Sequence, residues 1–122
     1  MSKRILVVED REDNRQIVRD LLAGTDYELT EAENGQEALT AVAKRRPDLI
    51  VMEIQLPIID GYEAARRIKA DPTLQSIAII AVPSYAPAGE EEKARAAGCD
   101  DYMPKPYSPR QLLVKIRERL GQ

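Results

Sequence analysis

Residues 47–63 read PDLIVMEIQLPIIDGYE, and this segment contains the passage from which the fold can be inferred. The run at 49–52 is continuously apolar, which is typical of a strand buried on both faces of a parallel sheet. Asp60 then provides an N-cap for a helix whose apolar face includes Tyr62 and Ile68. A buried strand followed by an amphipathic helix is the repeating unit of an α/β fold.

The same alternation of strand and helix extends along the whole chain. Further strands are predicted at 5–8, at 77–82, weakly at 27–32 on a sheet edge, and as a very short segment at 101–103. Helical periodicity separates these strands, although the helix at 88–97 is rich in alanine and is expected to pack shallowly. Because parallel crossovers are right-handed, the (βα)5 pattern predicts a doubly wound five-stranded parallel sheet with helices on both faces.

Composition excludes several classes of function. The chain has 122 residues, 43% of them apolar, and a net charge of −3, which suits one domain over residues 1–122 and argues against nucleic acid as a partner. The absence of histidine excludes Ser-His-Asp and Cys-His triads, and the single cysteine, Cys99, is interpreted as a small buried residue without a role. No apolar run approaches the roughly 20 residues that span a bilayer, so we predict a soluble cytoplasmic protein without a membrane partner.

Charged residues follow the predicted strands where a doubly wound sheet binds its ligands, at the carboxyl ends of the strands. Glu9 and Asp10 follow the first strand, Glu53 follows the third, and Lys105 follows the fifth. Clustered carboxylates require a cation, and their hard oxygen ligands suit Mg²⁺. The lysine offers a positive charge for a phosphoryl-like anion.

Three runs resemble the receiver domain of bacterial two-component response regulators: ILVVEDREDNR at 5–15, PDLIVMEIQLPIIDGYE at 47–63 and AAGCDDYMPKP at 96–106. The resemblance covers essentially the whole chain and is greatest to short receivers that work without a DNA-binding domain. It implies a flavodoxin-like sheet of strand order 2-1-3-4-5. In this family an aspartate after the third strand accepts a phosphoryl group from a histidine kinase or a phosphotransfer protein.

The resemblance also implies roles for individual residues. The metal ligands would be Glu9, Asp10 and Glu53, and they would hold Mg²⁺ weakly because Mg²⁺ commonly uses only one or two carboxylates plus water. Lys105 matches the lysine that contacts the phosphoryl group. Glu53 occupies the position of the phosphoacceptor aspartate itself.

Two other positions and one surface follow from the same resemblance. Pro106 matches a proline with a cis peptide bond, and Tyr102 matches the aromatic residue of the switch. The surface made by the fourth helix, the fifth strand and the fifth helix would bind partners and could support a homodimer. The expected partners are a histidine kinase, a phosphotransfer protein or another response regulator.

Two residues depart from the family pattern at the positions that carry the chemistry. Glu53 is longer than aspartate by one methylene, which displaces the carboxylate by roughly 1.5 Å, and misplacement on this scale costs about a hundredfold in transfer. Pro83 stands where the family has a switch Thr or Ser, and proline has no hydroxyl or N–H to donate. The adjacent Ser84 is expected to point the opposite way.

We therefore interpret the chain as a degenerate receiver, a pseudo-receiver that binds partners without phosphorylation and is not an enzyme. We also hypothesise that Glu53 reaches towards Lys105 and that its fixed charge imitates the phosphorylated state. The alternative is a conventional phosphoacceptor that still takes a phosphoryl group with Mg²⁺. A small carboxylate–Mg²⁺ enzyme is the least favoured interpretation, because no second catalytic group is visible.

Overall fold

The computed structural model describes residues 2–122, which form five strands and five helices in strict alternation. The strands are β1 (Arg4–Val8), β2 (Glu28–Ala32), β3 (Leu49–Met52), β4 (Ala78–Ala81) and β5 (Asp101–Tyr102). The helices are α1 (Glu12–Leu22), α2 (Gly35–Lys44), α3 (Gly61–Ala70), α4 (Glu90–Ala96) and α5 (Pro109–Arg119).

The strands pair in parallel in the order β2-β1-β3-β4-β5, which confirms the predicted flavodoxin-like sheet. The register aligns the strand ends: Val8 pairs with Met52, and Met52 pairs with Ala81. Ala81 in turn pairs with Tyr102 of the short last strand. The residues that follow β1, β3, β4 and β5 therefore emerge at the same edge of the sheet.

Two apolar layers cover the two faces of the sheet. In β3, Ile50 and Met52 pack against α2, α3 and α4, whereas Leu49 and Val51 pack against α1 and α5. All four of these side chains are buried, which explains why the strand is continuously apolar rather than alternating. The predicted arrangement of helices on both faces is confirmed.

The strand ends lie within one residue of the predicted ones, and a larger difference occurs at α4. The helix begins at Glu90 rather than at residue 88, because Gly89 has a φ of 87° in the left-handed region and breaks the helical backbone. Asp60 caps α3 as predicted by accepting from the Glu63 N–H, and Ser108 caps α5 by accepting from the Gln111 N–H. Within residues 2–122, none of the helices combines the length and apolarity that crossing a bilayer requires.

Candidate functional site

A partly buried lysine joins two buried carboxylates at the carboxyl edge of the sheet. The Lys105 ammonium donates to the Glu9 carboxylate and, at 2.9 Å, to Oε1 of Glu53. The side chains are 15% exposed for Lys105, 3% for Glu9 and 1% for Glu53. The sheet order explains this meeting, because β1 and β3 are neighbours and the chain leaving β5 returns towards β4 at the same edge.

The Glu53 carboxylate is surrounded by hydrogen-bond donors. Its Oε2 atom accepts from the backbone N–H groups of Ile54 at 2.6 Å, Gln55 at 3.0 Å and Ser84 at 3.1 Å. Its Oε1 atom accepts from the Ser84 hydroxyl and from Lys105. Backbone amides, a hydroxyl and an ammonium are the donors that proteins use to bind an oxyanion, so Glu53 places its own carboxylate in an anion site.

The two carboxylates that share Lys105 have opposite pKa shifts. Burial would raise the pKa of Glu53, but the hydrogen bonds from Ser84 and Lys105 outweigh burial and lower it. Burial is also the largest influence on Glu9, and there it prevails over Lys105, so the pKa of Glu9 is raised. Glu53 therefore holds its negative charge firmly, while the charge on Glu9 is disfavoured.

The prediction that Ser84 points away from the site is wrong. The alternation of side chains holds only within a strand, and β4 ends at Ala81, before Ser84 is reached. Pro83 is buried and its carbonyl accepts the Lys105 N–H at 3.0 Å, while the next residue turns its hydroxyl onto Glu53. The chain thus supplies a hydroxyl one residue later than the family position would.

The two members of the acidic pair after β1 differ in their exposure to solvent. Glu9 is buried, whereas Asp10 is exposed. The buried Arg15 of α1 holds this turn, because its Nη1 atom donates to the Glu9 carbonyl at 2.8 Å. The Glu9 carboxylate contacts Lys105, which also contacts Glu53.

The donor types fit Mg²⁺, but their arrangement fits it poorly. Glu9 and Glu53 carry the oxygen ligands that Mg²⁺ prefers. The Lys105 ammonium nevertheless lies between them, and residues 2–122 contain no group of three His, Cys, Asp or Glu side chains placed to hold a metal ion. A divalent ion would have to compete with the lysine for the same two carboxylates.

A close backbone approach at Gly61 holds the segment that carries Glu53. The Gly61 N–H donates to the Ile54 carbonyl at 2.8 Å. A Cβ atom at this position would lie 2.5 Å from the Glu53 carbonyl oxygen and 2.8 Å from the Ile54 Cα. A residue with a side chain would therefore displace the site. Sequence reasoning identified the Asp60 cap and missed the glycine beside it.

Three further residues were singled out in the sequence. The Lys105–Pro106 peptide bond is cis, the isomer that the resemblance implies. Tyr102 is partly buried, and its hydroxyl is enclosed without a hydrogen-bond partner among the described residues. Cys99 is buried, and burial raises the pKa of its thiol to about 11, so the thiolate is disfavoured.

Comparison with known proteins defines the class. The family model of the response regulator receiver domain matches residues 5–117, and the chain therefore belongs to this family, whose members are mainly signalling modules of two-component systems. The polar-differentiation response regulator DivK of Brucella anthropi is 41% identical over 121 residues, which are 99% of this chain and 98% of that protein.

Solved structures show the same fold. The receiver domain of the sensor histidine kinase PA1611 of Pseudomonas aeruginosa, with a magnesium ion coordinated in its active-site cleft, has a TM-score of 0.90 and 31% identity, covering 100% of both chains. The receiver domain of Ssk1 of Saccharomyces cerevisiae, solved with the histidine phosphotransfer protein Ypd1, has a TM-score of 0.87 and 30% identity. That match covers 96% of this chain and 88% of the other.

Proposed function

We propose that residues 1–122 act as one receiver domain of the pseudo-receiver type, a protein-interaction module that works without phosphorylation at residue 53. The observation that carries this proposal is the set of donors around Glu53. The Ser84 hydroxyl, the Lys105 ammonium and the nearby backbone N–H groups already contact the Glu53 carboxylate. The site is occupied by an anion that belongs to the chain itself.

The same hydrogen bonds make Glu53 a poor phosphoryl acceptor. An acyl phosphate forms when a carboxylate oxygen attacks in line, and this transfer depends largely on positioning. Both oxygens of Glu53 accept hydrogen bonds, which occupy the lone pairs that would have to attack phosphorus. An incoming phosphoryl group would need the same Lys105 and Ser84 donors that Glu53 holds.

Mg²⁺ binding to this chain is proposed to be weak. Glu9, Asp10 and Glu53 would hold the ion, and an ion bound there would neutralise their charge and that of an incoming phosphoryl group. Lys105 already supplies a positive charge to Glu9 and Glu53. A bound Mg²⁺ would therefore compete with the lysine for these two carboxylates.

A mainly apolar groove beside the site is the proposed docking surface for a histidine kinase or phosphotransfer protein. The groove measures about 350 Å³ and is lined by Ile17 of α1 and by Pro106, Tyr107 and Pro109 before and at the start of α5. Ile17 is 41% exposed and lines the groove together with these other apolar residues, so the apolar surface is contiguous rather than scattered. The complex of the Ssk1 receiver domain with Ypd1 supports a partner of this kind.

Other parts of the interpretation stay predictions. They are the homodimer through the α4–β5–α5 surface, the absence of enzymatic activity, the absence of nucleic acid and membrane partners, and a cytoplasmic location. On the α4–β5–α5 surface Asp101 already pairs with Arg119 at 2.5 Å within the chain. A second copy would have to compete with that ion pair for Asp101.

Intact-mass measurement after incubation with Mg²⁺ and acetyl phosphate tests the proposal. We expect no phosphoryl adduct on the native chain and less than about a twofold change in partner affinity on adding the donor. Glu53→Asp is the positive control, because the shorter side chain frees Lys105 and Ser84 for a phosphoryl group. An adduct on the native chain, together with a donor-dependent affinity, would support the conventional phosphoacceptor instead.

Substitution of exposed aliphatic residues locates the docking surface. We expect Ile17→Glu to weaken binding to a phosphotransfer protein by about tenfold or more, because it puts a charge into an apolar contact. Val114→Glu on α5 is the matched control, since Val114 is 52% exposed but does not line the groove. Calorimetric titration of both variants measures the effect, and a loss confined to Val114→Glu would place the interface on α5.

A further inference from the structure

Gln55 links the loop after β3 to the loop after β4. Its Oε1 atom accepts from the backbone N–H groups of Ser84 at 3.0 Å and Tyr85 at 3.2 Å. Its Nε2 atom donates to the Tyr85 carbonyl at 3.1 Å. The carboxamide thus pairs with the backbone of the second loop much as a neighbouring strand would.

This pairing determines where Ser84 lies. The Ser84 N–H is shared between Oε1 of Gln55 and Oε2 of Glu53. With its backbone held there, the Ser84 hydroxyl reaches Glu53 and lies 3.3 Å from the Lys105 ammonium. The Tyr85 side chain is 67% exposed, so burial of this ring does not anchor the loop.

The linkage also explains how the site tolerates Pro83. Proline removes both the hydroxyl and the N–H from the end of β4, so the hydroxyl must come from the next residue. A strand would turn that residue away from the site. The contact therefore requires the loop to be held outside strand geometry, and Gln55 supplies the hydrogen bonds that do so.

We propose that Gln55 is a positioning residue of this site, which holds the loop after β4 so that Ser84 donates to Glu53 in place of the hydroxyl that Pro83 lacks. This inference rests on the proposed function, because it describes how the anion site stays closed without a phosphoryl group. Gln55 acts through Ser84 and does not itself take part in chemistry.

The test uses the full chain without partner or phosphodonor. In Gln55→Ala, we expect the amide hydrogens of Ser84 and Tyr85 to exchange faster by on the order of tenfold. We also expect the pKa of Glu53, followed by carboxyl NMR, to rise, because the Ser84 hydrogen bond is its largest lowering influence. Gln36→Ala, which removes an exposed glutamine side chain from α2, should change neither quantity.

A double substitution separates positioning from a general loss of stability. In the Ser84→Ala background, adding Gln55→Ala should shift the pKa of Glu53 less than it does in the native background, because the hydroxyl is already gone. Equal shifts in the two backgrounds, or faster loop exchange with an unchanged Glu53 pKa, would overturn the inference. Donor-dependent partner binding would instead overturn the proposed function and leave these results standing.

Discussion

Replacing Lys105 with methionine is expected to lower the free energy of unfolding by about 3–5 kcal/mol at neutral pH. The substitution removes the cation that Glu9 and Glu53 share, and both carboxylates stay almost completely buried. Two unpaired carboxylates in a poorly hydrated site repel each other and lack the compensation that a buried charge needs. Because protonation removes this repulsion, the difference from the native chain should shrink as the pH falls. Urea unfolding across the pH range measures it.

Lys115→Met is the matched control for this experiment. Lys115 is 37% exposed and makes only long ion pairs, at 3.8 Å to Asp101 and 3.5 Å to Glu118. Surface pairs of this kind contribute about 0–1 kcal/mol, so the control should change little. Adding Glu9→Gln to Lys105→Met should restore part of the lost stability, since one buried charge is removed. Similar small losses for both lysine substitutions would contradict the assignment of Lys105 as the shared cation.

Glu53→Gln and Glu9→Gln are expected to act in opposite directions, although both residues contact the same lysine. The Glu53 carboxylate accepts the N–H groups of Ile54, Gln55 and Ser84. An amide has one acceptor atom and would leave some of these donors unpaired, so Glu53→Gln should cost about 2–3 kcal/mol at neutral pH. Glu9→Gln removes a charge that burial disfavours and should leave stability unchanged or raise it.

The pH dependence of the two variants follows from the signs of the pKa shifts. The folded pKa of Glu53 lies below its ordinary value of 4.5. Its contribution to the stability of the fold is therefore fully present above pH 4.5 and is lost as the pH falls through the folded pKa. The folded pKa of Glu9 lies above 4.5. Its contribution to the stability of the fold is therefore fully present below pH 4.5 and is lost as the pH rises through the folded pKa. Glu9→Gln should abolish the loss of stability that Glu9 causes as the pH rises.

Urea midpoints at several pH values between 4 and 7 distinguish these outcomes, with the native chain as reference. The gap between the native chain and Glu53→Gln should narrow towards the acid end of the series. For Glu9→Gln, the difference in urea midpoint should instead appear towards neutral pH, where the variant should be more stable than the native chain. If Glu9→Gln destabilised the protein as much as Glu53→Gln does, Glu9 would be the firmly charged member of the pair and our assignment of the charges would be wrong.

The fold could be predicted in detail from the sequence because apolar residues are distributed differently in buried strands and in amphipathic helices. The run at 49–52 indicated a strand covered on both faces, and the alternation of strands and helices required parallel crossovers. The start of α4 was less accessible to this reasoning. Its boundary depends on the backbone conformation of Gly89, and the surrounding segment 85–97 has alanine as its main apolar residue, so it carries little amphipathic pattern.

Glu9, Asp10, Glu53 and Lys105 could be assigned to one edge of the sheet from the sequence, because residues that follow parallel strands emerge there. How the site is completed became visible only in the folded chain. The hydroxyl of Ser84 and the carboxamide of Gln55 come from loops, where side chains no longer alternate and periodicity makes no prediction. Their positions depend on hydrogen bonds between residues about thirty positions apart in the chain, and such bonds exist only after the sheet has brought the loops together.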